Sequence, residues 1–416
     1  VIQADVVVLG GGPAGATAAA TLAMRGRRVV LLERETFPRY HIGESLLPYG
    51  WWTLQRLGVL DRMDEVGFQA KHSVQFATQD GQLSRPFLFT EHFDHPAART
   101  WQVDRATFDK LLLDRARELG VEVHEATQVT ALIETDGAVV GARAVGPDGE
   151  LEVRASVVID ATGRDGVARK LRRWNVAEPY LQRVALWTYL DGSPRGEGVH
   201  EGATTVASIP GDGWFWHIPM RGDRVSLGVV AKADVLFAEG ADLQAAFDRA
   251  VAMNPWVAER AAAGRQVGPV HVTRDYSYRA RHCADDGLVL CGDAFAFLDP
   301  VFSSGVLLAL RSGEEAARAV DEALAAGDVS AAAFEEYGRW LCEGIERMRA
   351  LVWSFYDPGF SMGQLVRKHP DLRGDVTDLL IGNLFRGYEE LISALAGFGV
   401  VPEPVTHGGP RLQAPT

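Results

Sequence analysis

Residues 1–33 leave this chain little choice of architecture. Asp5-Val6-Val7-Val8-Leu9 reads as an apolar strand that runs into Gly10-Gly11-Gly12-Pro13-Ala14-Gly15, then a small-residue helix over residues 16–25, then Val29-Val30-Leu31-Leu32 closed by Glu33. Each glycine has its own task in such a turn. Gly10 allows the tight reversal, Gly12 lets the backbone approach a pyrophosphate, and Gly15 brings the helix close to the strand, its first amides facing the phosphates. Glu33 stands where a carboxylate grips a ribose hydroxyl. A strand-turn-helix-strand unit ending in an acid is a dinucleotide-binding fingerprint.

The rest of the composition excludes several classes. At 416 residues with 47% hydrophobic and 23% charged residues, the chain suits two or three structural units around a sizeable core. Its apolar stretches are strand-length, and the fingerprint strand comes first, so the expectation is a cytoplasmic protein with no signal peptide and no membrane span. A net charge of −13 argues against a general nucleic-acid surface. The local exception is Arg169-Lys170-Leu171-Arg172-Arg173, which reads as a solvated helix face or as a landing patch for an acidic partner. Cys283, Cys291 and Cys342 lack metal-ligand spacing, so no metal site and no structural disulfide are expected.

Along the chain, residues 34–45 are polar and punctuated by Pro38 and Gly43, which reads as a loop over a ligand. Residues 68–77 alternate, with Lys71, Ser73 and Gln75 on the polar face of a strand. Arg105 opens a helix, strands near residues 129–133 and 139–145 form a β-meander, and Asp160-Ala161-Thr162-Gly163 ends another apolar strand in a glycine turn. Four strands between residues 184 and 231 predict an antiparallel sheet. Leu288-Val289-Leu290-Cys291-Gly292-Asp293 is a further apolar strand and loop, followed by a helix from Ser304 to about Ala326. Helical periodicity returns over residues 334–355 and 371–396, and the Pro- and Gly-rich end reads as loose.

The fingerprint with Glu33, Asp160-Ala161-Thr162-Gly163, and Gly292-Asp293, in that order, resemble the FAD-binding fold of the para-hydroxybenzoate hydroxylase type. Phe37-Pro38-Arg39-Tyr40-His41-Ile42-Gly43-Glu44-Ser45, Trp214-Phe215-Trp216-His217-Ile218-Pro219 and Asp299-Pro300-Val301-Phe302-Ser303-Ser304-Gly305 are similar to stretches of the flavin-dependent halogenases, whose WxWxIP signature is complete here. The fold class implied is α/β: a Rossmann-like FAD-binding domain in three parts (1–66, 100–178 with the inserted meander, 281–328), substrate-domain strands at 67–99, an antiparallel substrate-domain sheet at 179–280, and C-terminal helices at 329–416.

The resemblance also implies a division of labour. FADH2 from a separate flavin reductase reacts with oxygen to a flavin hydroperoxide, chloride or bromide attacks it, and hypohalous acid passes to the substrate near a lysine. One fingerprint and no second dinucleotide domain fit a bound FAD and a borrowed reductant. Gly10, Gly12, Gly15, Glu33, Arg34, Arg105, Gly292 and Asp293 would hold FAD, and Lys71 would be the catalytic lysine, either polarising hypohalous acid or forming a chloramine. Ser304 and Gly305 open a helix whose free amides suit a halide or the reduced flavin anion; the alternative is an ordinary capped helix. Trp214 and Trp216 share a strand face with Ile218, either as core or as the family's wall between flavin and substrate.

One departure bears on substrate. Tryptophan halogenases carry a glutamate where this chain has Phe302, and losing that carboxylate is more tolerable for an electron-rich pyrrole or phenol than for an indole carbon. The short C-terminal part is likewise similar to halogenases that act on pyrrolyl or phenolic groups tethered to a carrier protein, with residues 169–173 as the contact. The rival readings are an aromatic hydroxylase of the same fold, a prenyl reductase and a non-catalytic flavoprotein.

Overall fold

The computed structural model describes residues 1–274, 277–399, 401–405 and 407–412. Strand β1 (Ile2–Leu9), helix α1 (Pro13–Met24) and strand β2 (Val29–Leu32) form the fingerprint, with β1 and β2 paired in parallel. Val6–Leu9, Val29–Leu32 and Val157–Ile159 are all buried, as strands covered on both faces must be. The sheet order is Ala284–Asp285, Leu288–Leu290, Gly149–Asp160, β1, β2, Glu122–His124. The meander's third strand, Gly149–Asp160, does not stop. Its first half pairs with Ala138–Gly146 and its second half continues as the parallel neighbour of β1.

Two glycines set the fingerprint's geometry. Gly10 has φ +98°, and a Cβ there would lie 2.5 Å from the Ala161 carbonyl oxygen. A Cβ on Gly15 would lie 1.9 Å from the Gly10 oxygen. The small residues of α1 also admit the long Ser304–Ala326 helix: a Cβ on Gly313 would be 2.3 Å from the Ala14 oxygen, so the helices cross nearly backbone to backbone. Arg27 Nε, bonded to Asp321 at 2.7 Å, ties their far ends.

A second sheet has the order Arg265–Arg274, Val184–Asp191, Arg224–Ala231, Gly213–Pro219, Thr204–Ile209, Ser73–Ala77, Phe87–Leu88. The strands from 184 to 274 pair antiparallel, as expected, and the sheet is extended by Ser73–Ala77, which runs parallel to Thr204–Ile209. Residues 68–77 are also not one strand. Gln69–Lys71 pairs with Thr100–Gln102, and after His72 the chain crosses into the large sheet as Ser73–Ala77. Burial does not follow the two expected faces: Lys71 and Ser73 are buried but Gln75 is half-buried, and on the other face Phe68 is buried while Ala70, His72, Val74 and Phe76 are half-buried.

Three further expectations are corrected. The periodic stretch 371–396 is two helices, Arg373–Ile381 and Glu389–Ala396, broken at Gly382 where φ is +97°. The basic run is a solvated face only in part: Lys170, Leu171 and Arg173 are exposed, but Arg169 and Arg172 are not free to meet a partner. Its helix ends at Leu171, Arg169 is buried with its guanidinium over the Tyr278 ring at 3.9 Å, and Arg172 pairs with Glu134 and Asp285. The end of the chain is pinned rather than loose: Gly408 N donates to the Arg281 oxygen and Arg411 N to that of Ala284; the expectation for residues 413–416 falls outside the described residues. The three cysteines are free thiols, and no described helix is long and apolar enough to cross a membrane.

Candidate active site

A cavity of about 1120 Å³ lies between the two sheets, lined by the fingerprint turn, the turn after Asp160, the 39–45 loop, the Trp214–Trp216 strand and the start of the Ser304–Ala326 helix. At its nucleotide end, α1 has Gly12 as N-cap, no side-chain cap and no acid in its first turn, so its amides remain open to an anion. Glu33 is held beside them, its carboxylate accepting from Gly11 N at 2.6 Å and from Glu35 N at 2.8 Å. Arg34 lies on the rim, paired with Asp165. The Asp160-Ala161-Thr162-Gly163 turn shapes the opposite side. Asp160 is itself buried and accepts from Thr162 N, Thr162 Oγ1 and Ala168 N, so its task is to fold the turn.

Arg39, whose place in the 37–45 stretch carries no signal of its own for this role, reaches this end. Its guanidinium lies over the Phe37 ring, pairs with Asp109 at 2.9 Å, and has Nη2 3.5 Å from where a Cβ on Gly12 would be. Open amides, a ribose-side carboxylate and an arginine facing the phosphate loop together fit a dinucleotide. Arg105 lines the cavity too, but its fork is occupied by both Asp109 oxygens (2.7 and 2.9 Å) and the Ile42 carbonyl (2.9 Å), which braces the 39–45 loop. Asp293 lines the wall, and loss of solvent pushes its carboxyl up to about 6 against the pull of Arg105, Arg164 and Arg169. Gly15 and Gly292 do not line the cavity. Gly292 packs instead on α1, where a Cβ would lie 2.9 Å from Ala14 Cβ.

The strand Gly213–Pro219 is buried on both faces. Phe215 and His217 pack outward on Phe247 and Trp256, and Trp214, Trp216 and Ile218 line the cavity. Trp216 lies against Gly228 of the next strand, its Nε1 donating to Ser226 Oγ at 3.0 Å. Trp187 extends this aromatic layer, its ring centroid 6.5 Å from that of Trp216. Trp214 is latched from behind: its Nε1 donates to Tyr356 OH at 2.8 Å, and Tyr356 donates to Asp299 Oδ2 at 3.0 Å. Burial pushes Asp299 up to about 6, while Val301 N and Tyr356 hold it down. Neither Tyr356 nor Asp299 carried a local signal for this role, because the contact joins segments 142 residues apart.

A Cβ on Gly228 would lie 2.2 Å from the Trp216 ring, so Gly228→Val must push the indole off the sheet. Overpacking of this kind costs about 1–3 kcal/mol. The variant is expected to melt several degrees lower and to shift its tryptophan emission; an unchanged melting point and spectrum would show that the indole is not held there.

At the other end, the Ser304–Ala326 helix starts after Ser303, whose φ of +55° turns the chain sharply. It is not the capped helix of the alternative reading, since no side chain caps it and its first turn has no acid. Ser303 and Gly305 line the cavity and Ser304 is buried behind them. Lys71 is 1% exposed and does not line the cavity. Its Nζ donates to Ser45 Oγ at 2.9 Å and to the Leu46 oxygen at 3.1 Å, and stands 5.7 Å from the Phe89 ring centroid. Burial without a countercharge pushes it down to about 7.

The family profile described as tryptophan halogenase matches residues 5–96 and 90–359. The chain belongs to the flavin-dependent halogenase family. This halogenase is 33% identical over 388 residues, 92% of each chain, to a 1H-pyrrole-2-carbonyl-[peptidyl-carrier protein] brominase of Pseudoalteromonas luteoviolacea. It is 29% identical to the corresponding chlorinase of Pseudomonas fluorescens, over 92% of this chain and 90% of that one. Its fold superposes on the flavin-dependent brominase Bmp2 with a TM-score of 0.84 and 31% identity, covering 95% of this chain and 97% of that one. The halogenase therefore uses FAD and a halide, and reduced FAD, when bound, supplies with oxygen the oxidation of halide to hypohalous acid.

Proposed function

We propose that this halogenase installs chlorine or bromine on an electron-rich pyrrolyl or phenolic ring carried by an acyl or peptidyl carrier protein, drawing FADH2 from a separate flavin reductase. The observation that carries the substrate class is near-full-length similarity to two enzymes of carrier-bound pyrrole. Phe302 supports it. The side chain at the glutamate position is buried edge-on against Phe355, at 5.6 Å, and supplies no base for a less activated ring.

Gly10, Gly12, Glu33, Arg34, Arg39, Arg105 and Asp293 hold or brace FAD in this reading, with Gly15 and Gly292 closing the fold behind it. The open amides at Ser304 and Gly305 stabilise halide. Trp214 and Trp216 wall the cofactor side, so that only a small oxidant crosses. Lys71, whose burial lowers its pKa and favours the amine, receives it and presents it to the ring.

The test is mass spectrometry of pyrrole-2-carbonyl carrier protein after incubation with the halogenase, a flavin reductase, NADH, oxygen and chloride or bromide. Replacement of hydrogen by halogen is expected. Rapid NADH oxidation by the halogenase alone, dependent on the aromatic substrate and yielding a hydroxylated ring, would instead establish the hydroxylase. Gly305→Pro removes one amide in a first turn that tolerates proline. It should raise the halide concentration needed for half-maximal rate about tenfold with little loss of melting temperature. Unchanged halide dependence in the folded variant would refute the halide assignment.

A further inference from the structure

Lys71 lies off the cavity, and two residues that do line it, Ser45 and Thr204, stand between them. Their hydroxyl oxygens are 2.9 Å apart. Ser45 Oγ also accepts from Lys71 Nζ at 2.9 Å, and Thr204 Oγ1 accepts from Gln102 Nε2 at 2.8 Å. Gln102 is fixed in turn, since the same nitrogen donates to the Gly202 oxygen at 2.9 Å.

With Lys71 as the ammonium, which donates and cannot accept, either placement of the hydroxyl protons leaves the same remainder. Each hydroxyl carries a single proton. One of the two lies between the oxygens, whichever residue supplies it, and the other has no partner among the described residues. The pair therefore presents one unassigned O–H donor on the wall it shares with the cavity. Beside it, Gln102 Oε1 is a buried acceptor with no partner. Buried donors and acceptors are seldom left unmatched. A leftover donor and a leftover acceptor next to an amine suit a small molecule with one O–H and one accepting oxygen.

We propose that Ser45 and Thr204 form a hydroxyl gate that passes hypohalous acid from the cofactor cavity to Lys71, with Gln102 holding Thr204 in register. The inference rests on the assignment of Lys71 made above. Ser45 and Thr204 touch the acid and Gln102 is a positioning residue that acts through Thr204; no covalent bond forms or breaks at the gate, and the acid advances by exchanging its hydrogen bond with the free hydroxyl for one from Lys71 Nζ.

The test is the double variant Ser45→Ala/Thr204→Val, which removes both hydroxyls with little change in volume. Reduced FAD should be oxidised at the wild-type rate. Halogenated product per oxygen consumed should fall about tenfold or more, and hypohalous acid caught by an external amine trap should rise to match. Thr204→Ser should keep normal coupling, because only the hydroxyl is needed. A readout independent of turnover is the NMR titration of 15N-lysine in the flavin-free protein. Ser45→Ala takes an acceptor from the ammonium and should lower the Lys71 midpoint, whereas Thr204→Val should leave it in place. Wild-type coupling in the double variant, with halogenation still abolished by Lys71→Met, overturns the gate alone. Loss of reduced-FAD oxidation puts the hydroxyls on the cofactor side and overturns it too. Wild-type halogenation by Lys71→Met overturns both readings together.

Discussion

Lys71→Met is expected to bind FAD and oxidise reduced FAD normally while halogenated product falls about a hundred- to a thousandfold. Methionine keeps most of the stem's volume, so the packing beneath Phe89 survives. What disappears is the nitrogen and its hydrogen bonds to Ser45 and Leu46. A lost hydrogen bond to the reacting species is worth about 3–4 kcal/mol of barrier. Lys71 does not line the cofactor cavity, which is why the two half-reactions should separate. Stopped-flow flavin spectra and product mass spectrometry read them independently; halogenation at the wild-type rate would remove Lys71 from the mechanism.

The same variant makes a stability prediction whose sign follows from proton linkage. The folded value of about 7 lies below the value of about 10.4 for an unfolded lysine. Between those values the unfolded chain binds more protons, so wild-type stability rises with pH from about 7 to about 10.4 and the burial penalty is fully present below 7. The stability of Lys71→Met relative to wild type should therefore be greatest below pH 7 and fall as pH rises toward about 10.4. Denaturant melts at pH 6 and pH 9 check this. In wild type, product per oxygen consumed should show an inflection near pH 7, rising if the amine acts and falling if the ammonium does.

The second large effect is expected at Gly15. A side chain there meets the Gly10 oxygen at 1.9 Å and the Gly10 carbonyl carbon at 3.0 Å, both backbone atoms that no rotamer change can move. Gly15→Val must lift α1 off β1, opening the phosphate turn and loosening the contact with the Ser304–Ala326 helix. The expected result is a purified protein that is colourless under conditions where wild type is yellow, with destabilisation of about 3 kcal/mol or more. Gly12→Ala is the matched control. Its backbone is extended, at φ −67° and ψ −176°, and its Cβ would meet only the Arg39 guanidinium at 3.5 Å. That variant should melt like wild type and bind FAD about tenfold or more weakly, because its methyl faces the phosphate side. Yellow, stable Gly15→Val protein would contradict the close packing.

How much of this was legible beforehand depends on whether a requirement is local. The fingerprint could be read because its constraints act within one turn: Gly10 needs a positive φ, Gly15 needs no Cβ, and Glu33 closes the next strand. The Trp214–Trp216 strand and the helix beginning at Ser304 were legible for the same reason, since side-chain alternation and helix starts are written in consecutive residues. Residues 68–77 show where this fails. Alternation read one strand with two faces, but the chain changes sheets at His72, so burial follows neither face along the whole stretch.

Tertiary structure alone decided the surroundings of each chemical group. Lys71 is an ordinary strand lysine until residues 45, 46 and 89 close over it and remove its solvent, which sets both its hydrogen bonds and its depressed pKa. Arg169 looks like a surface cation until Tyr278 and the 164–175 segment enclose it. Trp214 looks like core until Tyr356 and Asp299 tie it to the helix-start loop. The physical reason is common to all three: backbone conformation answers to neighbours a few residues away, whereas desolvation and hydrogen-bond partners answer to whatever the fold brings alongside.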